Sequence, residues 1–327
     1  MLKNLALSYP NQAKELASII KRAHGTFMIG CGTASYAALA GTYLFSKIAK
    51  VHVNFSVASE FEYLEDYLTP KSLLIPISQS GETIDIIEPV TKAKAKKTKI
   101  ASLVNVLGST LYRISDHKFL LGAGPEKAVI STKAFTAMYS MLLLTAYSLA
   151  GKSNEGEELL LKASDALSKV IKLTKEIKRT ASILKNIDHI FIIGRGLSYV
   201  AALEASLKIK ETSYVHAEGF AGGELKHGVI ALIQKGTPCI VIAPNDDTFS
   251  EIISNAQQIK SRGGFIIGIG PRMDKVFDVF LQTDDIKEAT FLPQIEIIQL
   301  LSYYLALAKG IKDPDKPRNL AKSVTVK

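Results

Sequence analysis

The sequence predicts an α/β fold of two tandem units, each a parallel sheet flanked by helices, with an irregular tail at the C-terminus. Three observations predict it. Apolar runs of strand length alternate with stretches of helical spacing from residue 26 onward, the pattern of parallel strands joined by crossover helices. The stretch FMIGCGTASYAALA at 27–40 returns as FIIGRGLSYVAALE at 191–204, so one α/β unit is duplicated. A chain of 327 residues also has room for two cores of about 150 residues each.

In order, residues 26–31, 51–57, 73–77, 100–106 and 118–121 are the expected strands of the first unit, with a helical pattern over 36–50. Ile84, Ile87 and Val90 recur at the spacing of a helix face after the third strand. Residues 134–151 carry no charge over 18 positions, the lower limit for a membrane span. They include Thr136, Tyr139, Ser140, Thr145, Tyr147 and Ser148, which suits a helix buried in the fold or in a subunit interface, so no membrane span is expected. Leu160, Leu167, Val170, Ile171, Thr174, Ile177, Ala181 and Leu184 then trace one face of an amphipathic connection. The second unit continues with strands at 238–243, 265–269 and 276–281 and a closing helix at 295–308. Pro314 and Pro317 break any helix beyond it, although apolar Leu320, Val324 and Val326 favour docking of the tail. The expected boundaries are therefore 1–152, 153–309 with its leading helix, and a tail at 310–327 docked on the protein.

Composition narrows the function. Hydrophobic residues at 47% and charged residues at 22% are ordinary for a globular chain, which excludes a disordered or fibrous one. The net charge of +9 is densest over 92–99, where five lysines end a helical pattern and no aromatic residue is interleaved. A solvated helix end complementing the dipole explains that run, and no nucleic-acid partner is expected. Cys31 and Cys239 lie far apart inside apolar runs and no signal pattern opens the chain, so the expected setting is a reducing cytoplasm.

The motif LLIPISQSGETIDIIEPV at 73–90 sets a polar heptad at a strand-to-helix turn. In an α/β protein that turn lies at the C-terminal edge of the sheet, where backbone N–H groups and the positive end of the helix dipole attract anions. Ser78, Gln79, Ser80 and Thr83 add side-chain donors, and Gly81 lets the backbone approach a ligand. An N-cap needs one hydroxyl and this loop offers three, so a phosphate cradle is expected. In the second copy Asn245, Asp246 and Asp247 occupy the matching turn and would repel a phosphate.

The turn at Gly30-Cys31-Gly32-Thr33-Ala34-Ser35 invites a dinucleotide reading, but the strand about 20 positions on, 51–57, holds no carboxylate for a ribose. No nicotinamide or other cofactor is expected, and the turn suits a small ligand facing Thr33. The stretch 202–228 is the densest in ionisable groups, with Lys208, Glu211, His216, Glu218, Glu224, Lys226 and His227. Lys208 and Glu211 share a helix face at i and i+3; alone, that spacing is equally that of a surface salt bridge. His216 and His227 lie eleven residues apart, not at the i, i+4 spacing that brings two imidazoles together on a helix, so no metal is expected.

SQSGET, ISTKAFT, LKIKETSYVHAEGFAGGELKHG and PRNLAKSVTV, in this order, resemble the sugar-isomerase half of the glucosamine-6-phosphate synthase family, the glutamine–fructose-6-phosphate aminotransferases. The likeness runs from about Phe27 to the last residue. It implies two tandem sugar-isomerase (SIS) domains, binding of fructose 6-phosphate, glucose 6-phosphate or glucosamine 6-phosphate, and a homodimer with shared active sites. It further implies that Ser78, Gln79, Ser80 and Thr83 hold the phosphate, that Thr33 and Ser131 line the sugar, and that Arg318 and Ala321 belong to the substrate site. Glu211 would move the proton between C1 and C2, with Lys208 assisting. His227 would open the ring from the neighbouring subunit, and Lys322 would contact the sugar carbonyl as the candidate imine former. The family often reads Gly-Thr-Ser in the first turn, where Ala34 here separates Thr33 from Ser35. The glutaminase domain of the full enzymes has no counterpart in this sequence, so ammonia would come from a glutaminase partner or another source. Two other readings stand beside it: a stand-alone deaminase-like enzyme, and a non-catalytic phosphosugar sensor, which would need neither Glu211 nor Lys322.

Overall fold

In the computed structural model, which describes residues 1–326, the chain divides into two units: Met1–Leu161 together with the tail from Asn319, and Lys162–Arg318. The first carries β1 (Gly25–Gly30), β2 (Asn54–Val57), β3 (Ser72–Ser78), β4 (Lys99–Val104) and β5 (His117–Leu120), all parallel, in the order β2-β1-β3-β4-β5. The second carries β6 (His189–Gly194), β7 (His216–Ala221), β8 (Pro238–Ile242), β9 (Phe265–Gly270) and β10 (Val279–Gln282), also parallel, in the order β10-β9-β8-β6-β7. Numbered from its own first strand, the second sheet repeats the permutation of the first. The duplicated α/β architecture read from the sequence is the observed one.

The helices are α1 (Leu2–Arg22), α2 (Thr33–Leu44), α3 (Ala58–Phe61), α4 (Ile84–Ala95), α5 (Thr110–Ile114), α6 (Lys133–Leu149), α7 (Ser153–Val170), α8 (Thr174–Leu184), α9 (Leu197–Ser213), α10 (Phe249–Lys260) and α11 (Phe291–Ala308). Strand β3, SLLIPIS, is buried at every position, as a continuous apolar run covered by helices on both faces must be. All of α6 except Lys133 and Ser148 is buried, and it packs against α1 and α2, so the uncharged stretch is the core helix of the first unit. Among the described residues, Lys287–Ala308 is the helix long and apolar enough to cross a membrane by length and composition; 61% of its 18-residue apolar window is buried, and α11 packs against α8 and α9.

Local chemistry moves several boundaries. The helix expected over 36–50 leaves α geometry after Leu44, passes through a π turn at Phe45–Ala49 and ends at Lys50 with φ 57°, so β2 starts only at Asn54. Strand β4 stops at Val104 because the Asn105 side chain takes over the pairing, accepting from Ala123 N and donating to Gly124 O, each at 2.9 Å. The last strand begins at Val279, since Asp274 holds Val276 in a turn through its backbone N–H. Residues 216–221, outside every expected strand, are the edge strand β7. The helix α1 has no counterpart in the sequence reading. It contains Pro10, and Tyr9 anchors it by donating its hydroxyl to the carbonyl of Leu121.

Candidate active site

In an open parallel sheet, ligands bind beyond the carboxyl ends of the strands where the strand order reverses. In the first unit that point lies between β1 and β3, and the turns that follow them flank it. After β1 the chain reverses at Gly32, φ 53°, and a Cβ on Gly30 would stand 2.6 Å from the Ala34 carbonyl carbon. The turn is closed by Ser35, whose hydroxyl donates to Gly32 O at 2.7 Å, and Thr33 is buried at the start of α2. Cys31 sits in the same turn. Burial, with the nearby Asp85 carboxylate, pushes its thiol up to about 11, so it is protonated at neutral pH and is no thiolate nucleophile.

The loop after β3 is organised by its own hydroxyls. Ser78 Oγ accepts from Gly81 N at 2.9 Å and Ser80 Oγ accepts from Glu82 N at 3.2 Å. Gly81 has φ +70°, and a Cβ there would lie 2.1 Å from Ser109 Oγ, so only glycine fits. The Glu82 carboxylate accepts from Thr110 N at 2.8 Å, and hydrogen bonds from Thr110 hold it below the usual carboxylate range. Its negative charge is thereby spent on the start of α5. Thr83 caps α4 without a side-chain hydrogen bond, and among the described residues neither its hydroxyl nor the Gln79 amide has a partner. Backbone donors, a helix N-terminus and uncommitted polar side chains therefore share one turn.

The tail reaches this turn. Val324 O accepts from Ile84 N, the first N–H of α4, at 3.0 Å, and Ser323 Oγ lies 3.3 Å from Ser80 Oγ. Lys322 Nζ donates to the carbonyl of Glu126 and, at 2.7 Å, to that of Ala128. The Glu126 carboxylate in turn accepts from Ala134 N at 3.0 Å and from the backbone and hydroxyl of Thr132 at 3.3 Å, fixing the entry to α6. Within that entry Ser131 Oγ is shielded from solvent and has no hydrogen-bond partner. The first unit thus gathers Thr33, Ser78, Gln79, Ser80, Thr83, Ser131, Ala321 and Lys322 on the turns at one sheet edge and on the tail. Glu126 and Ser323 belong with them and were not read from sequence, because their partners lie far along the chain.

The second unit holds the ionisable cluster. On α9, Lys208 Nζ is 2.5 Å from Glu211 Oε2 and 3.5 Å from Glu204 Oε1. The side chains of Lys208 and Glu204 are 2% and 0% exposed and that of Glu211 is 19% exposed. The pair is therefore no surface salt bridge: one buried ammonium lies between two carboxylates, and solvent or a ligand can reach Glu211. Glu204 escaped the sequence reading although the i, i+4 relation to Lys208 marks it. His227 ends a 3-10 turn, Gly222–His227, that follows β7; it is exposed and makes no hydrogen bond or ion pair among the described residues. Arg318 lies over the Tyr214 ring at 4.2 Å, and its N–H donates to the Tyr214 hydroxyl at 2.9 Å.

The turn of the second unit that matches the loop after β3 is filled from within. Asp246 Oδ1 accepts from Thr248 N at 2.9 Å and from Thr248 Oγ1 at 2.7 Å, placing a carboxylate at the start of α10. Arg195, in the place of Cys31, is held by Glu251 at 2.6 Å and by Asn255 at 3.1 Å. No group of three or more His, Cys, Asp or Glu among the described residues comes together to hold a metal ion.

The model of the SIS domain matches residues 19–148 and 183–272, one segment in each unit. The chain belongs to the SIS domain family. Among curated SIS relatives, the glutamine–fructose-6-phosphate aminotransferase (isomerizing) of Pyrococcus horikoshii is 40% identical over 99% of this chain and 56% of its own length. That of Caldanaerobacter subterraneus subsp. tengcongensis is 41% identical over 92% of this chain and 51% of its own length. The chain spans about half the length of the curated relatives it matches. Among solved SIS structures, the C-terminal domain of glucosamine-fructose-6-phosphate aminotransferase from Francisella tularensis superposes with a TM-score of 0.86 at 32% identity, covering 94% of this chain and 93% of that one. A glucosamine-6-phosphate deaminase from Thermotoga maritima shares the fold, with a TM-score of 0.78 at 22% identity over 98% of this chain and 99% of that one.

Proposed function

We propose that the protein is a phosphosugar isomerase and amination module that converts fructose 6-phosphate towards glucosamine 6-phosphate when ammonia is supplied, or to glucose 6-phosphate without it. The observation that carries the reading is the buried Glu204–Lys208–Glu211 row with one reachable carboxylate. A sensor has no use for a base held against a buried ammonium, whereas proton transfer between adjacent carbons needs one carboxylate fixed over the enediol plane. The relatives named for the aminotransferase, at about 40% identity, support the same choice.

In this reading the sugar phosphate accepts hydrogen bonds from Ser78, Gln79, Ser80 and Thr83 at the positive end of the α4 dipole. Thr33, Ser131 and Ala321 contact the sugar. His227 of the partner subunit protonates the ring oxygen and opens the ketose. The C2 carbonyl condenses with ammonia, losing water, to give an imine; Lys322 contacts that carbon and is the candidate for an earlier imine of its own. Glu211 removes the C1 proton, and the C1–H electron pair forms the C1–C2 double bond while the C2–N double bond opens onto nitrogen, which takes up a proton; Glu211 then returns its proton to C2 as the C1 hydroxyl loses its own and becomes the aldehyde. Lys208 steadies the developing oxygen charge and holds Glu211 in place. The reaction calls for no cofactor or metal, and the active form is a homodimer with shared sites in the cytoplasm, fed by a glutaminase domain or another ammonia source.

The deaminase-like reading runs the same steps backwards and has a fold neighbour in its favour. One assay separates the readings. Fructose 6-phosphate is incubated with the protein, with and without ammonium, and glucosamine 6-phosphate in a parallel sample, and glucose 6-phosphate, glucosamine 6-phosphate and ammonia are measured. Glucose 6-phosphate formation, with glucosamine 6-phosphate appearing only with ammonium, is expected. Neither product forming would leave a sensor, and release of ammonia from glucosamine 6-phosphate without net amination would leave a deaminase.

A further inference from the structure

The amino ends of the first two strands of the second sheet carry a second group of ionisable side chains. His189 opens β6 and His216 opens β7, and the two are register partners in a parallel ladder, so their side chains leave the sheet on the same side. A backbone bond from His216 N to Asp188 O, 3.0 Å, fixes the strand starts. The rings meet edge-on at 75° with centroids 5.3 Å apart, and the two Nδ1 atoms face each other at 3.2 Å. Beside them opens a cavity of about 520 Å³, lined also by Asp188, Glu218 and Lys235.

We propose that His189 and His216 form a binding site for a divalent transition-metal ion of the zinc, nickel or copper class. An ion about 2.05 Å from each of two nitrogens 3.2 Å apart subtends an angle of about 103°, close to tetrahedral. The pair already stands at chelating distance without any movement of the backbone. Ligation uses the Nδ1 lone pairs of two neutral rings that each carry their proton on Nε2, a tautomer open to both because the pair lies at the surface. No third His, Cys, Asp or Glu among the described residues completes the set, so water from the cavity takes the other positions. Imidazole selects this class of ion over magnesium or calcium, which require oxygen ligands. The bound ion would clamp β7, an edge strand, to β6 and so steady the strand that leads into His227.

The test is a titration of the tag-free, metal-stripped protein with Ni²⁺ by calorimetry, and with Cu²⁺ followed by electron paramagnetic resonance. One saturable Ni²⁺ site per chain is expected, weakened at least tenfold in His189→Ala and in His216→Ala, unchanged in His52→Ala, and absent with Mg²⁺. The Cu²⁺ spectrum of the unmutated protein should show two imidazole nitrogens, a readout that does not depend on how the variants fold. Binding that survives both substitutions, no saturable site, or a copper spectrum without two nitrogens would overturn the proposal.

Discussion

Gly81 shows how tightly single residues fix the loop after β3: its left-handed backbone and its contact with Ser109 exclude any side chain, and the turn presents Ser80 and Thr83 at the start of α4. Ser80 bonds within the loop and Thr83 does not, so removing both hydroxyls tests ligand contact more than folding. Ser80→Ala with Thr83→Ala should weaken fructose 6-phosphate binding by on the order of tenfold or more, since hydrogen bonds to a charged group contribute about 1.5–3 kcal/mol each. Calorimetry reads the affinity and the thermal midpoint should stay within a few degrees; undiminished affinity would place the phosphate elsewhere. Glu211 is the second decisive residue. Glu211→Gln keeps the shape beside Lys208 and removes the base, so hydrogen exchange between substrate C1 or C2 and deuterated water should fall by about 10²-fold or more. Exchange at the original rate would identify another base.

At the scale of elements, the turn Glu65–Tyr67 after α3 buries the Glu65 carboxyl with one oxygen unpartnered. Burial raises its pKa, against the pull of Lys96 and Lys92. A carboxyl raised in the folded state costs nothing below its unfolded pKa, where it is neutral in both states, and costs most once pH exceeds the folded value. Glu65→Gln should therefore stabilise the protein at neutral pH by on the order of 1 kcal/mol, and the gain should vanish in acid. Denaturant unfolding at pH 7 and pH 4 checks the sign; a larger gain at pH 4 would contradict it. The same scale separates what the sequence discloses from what it hides. Apolar runs such as β3 and the 27–40 repeat reveal sheet, duplication and the polar turn at the start of α4, because strand burial and helix-start chemistry are local signals. Strand β7 is hidden because HAEGFA is polar and glycine-bearing and has no β-branched residue, as a sheet edge permits. Glu126 and its contact with Lys322 are hidden because that contact spans 196 residues, and no local rule registers a tertiary contact.

For the whole molecule, the decisive question is whether each site is completed by a second copy. His227 makes no hydrogen bond or ion pair among the described residues of its own chain and stands exposed on the turn after an edge strand. If Glu211 and His227 in one site come from different subunits of a symmetric dimer, every site of a His227→Ala dimer lacks its histidine and every site of a Glu211→Gln dimer lacks its base. Both proteins should be inactive. In a dimer with one chain of each kind, one site collects both lesions and the other neither. Random exchange of equal amounts makes about half the dimers mixed, so roughly a quarter of wild-type sites should return. The measurement is isomerase activity after the two inactive variants are refolded together, with native mass spectrometry counting the mixed dimers. Activity that rises in proportion to that count supports the shared site. Mixed dimers as inactive as their parents would assign both residues to one subunit's site, and His227 would then have to reach Glu211 within its own chain.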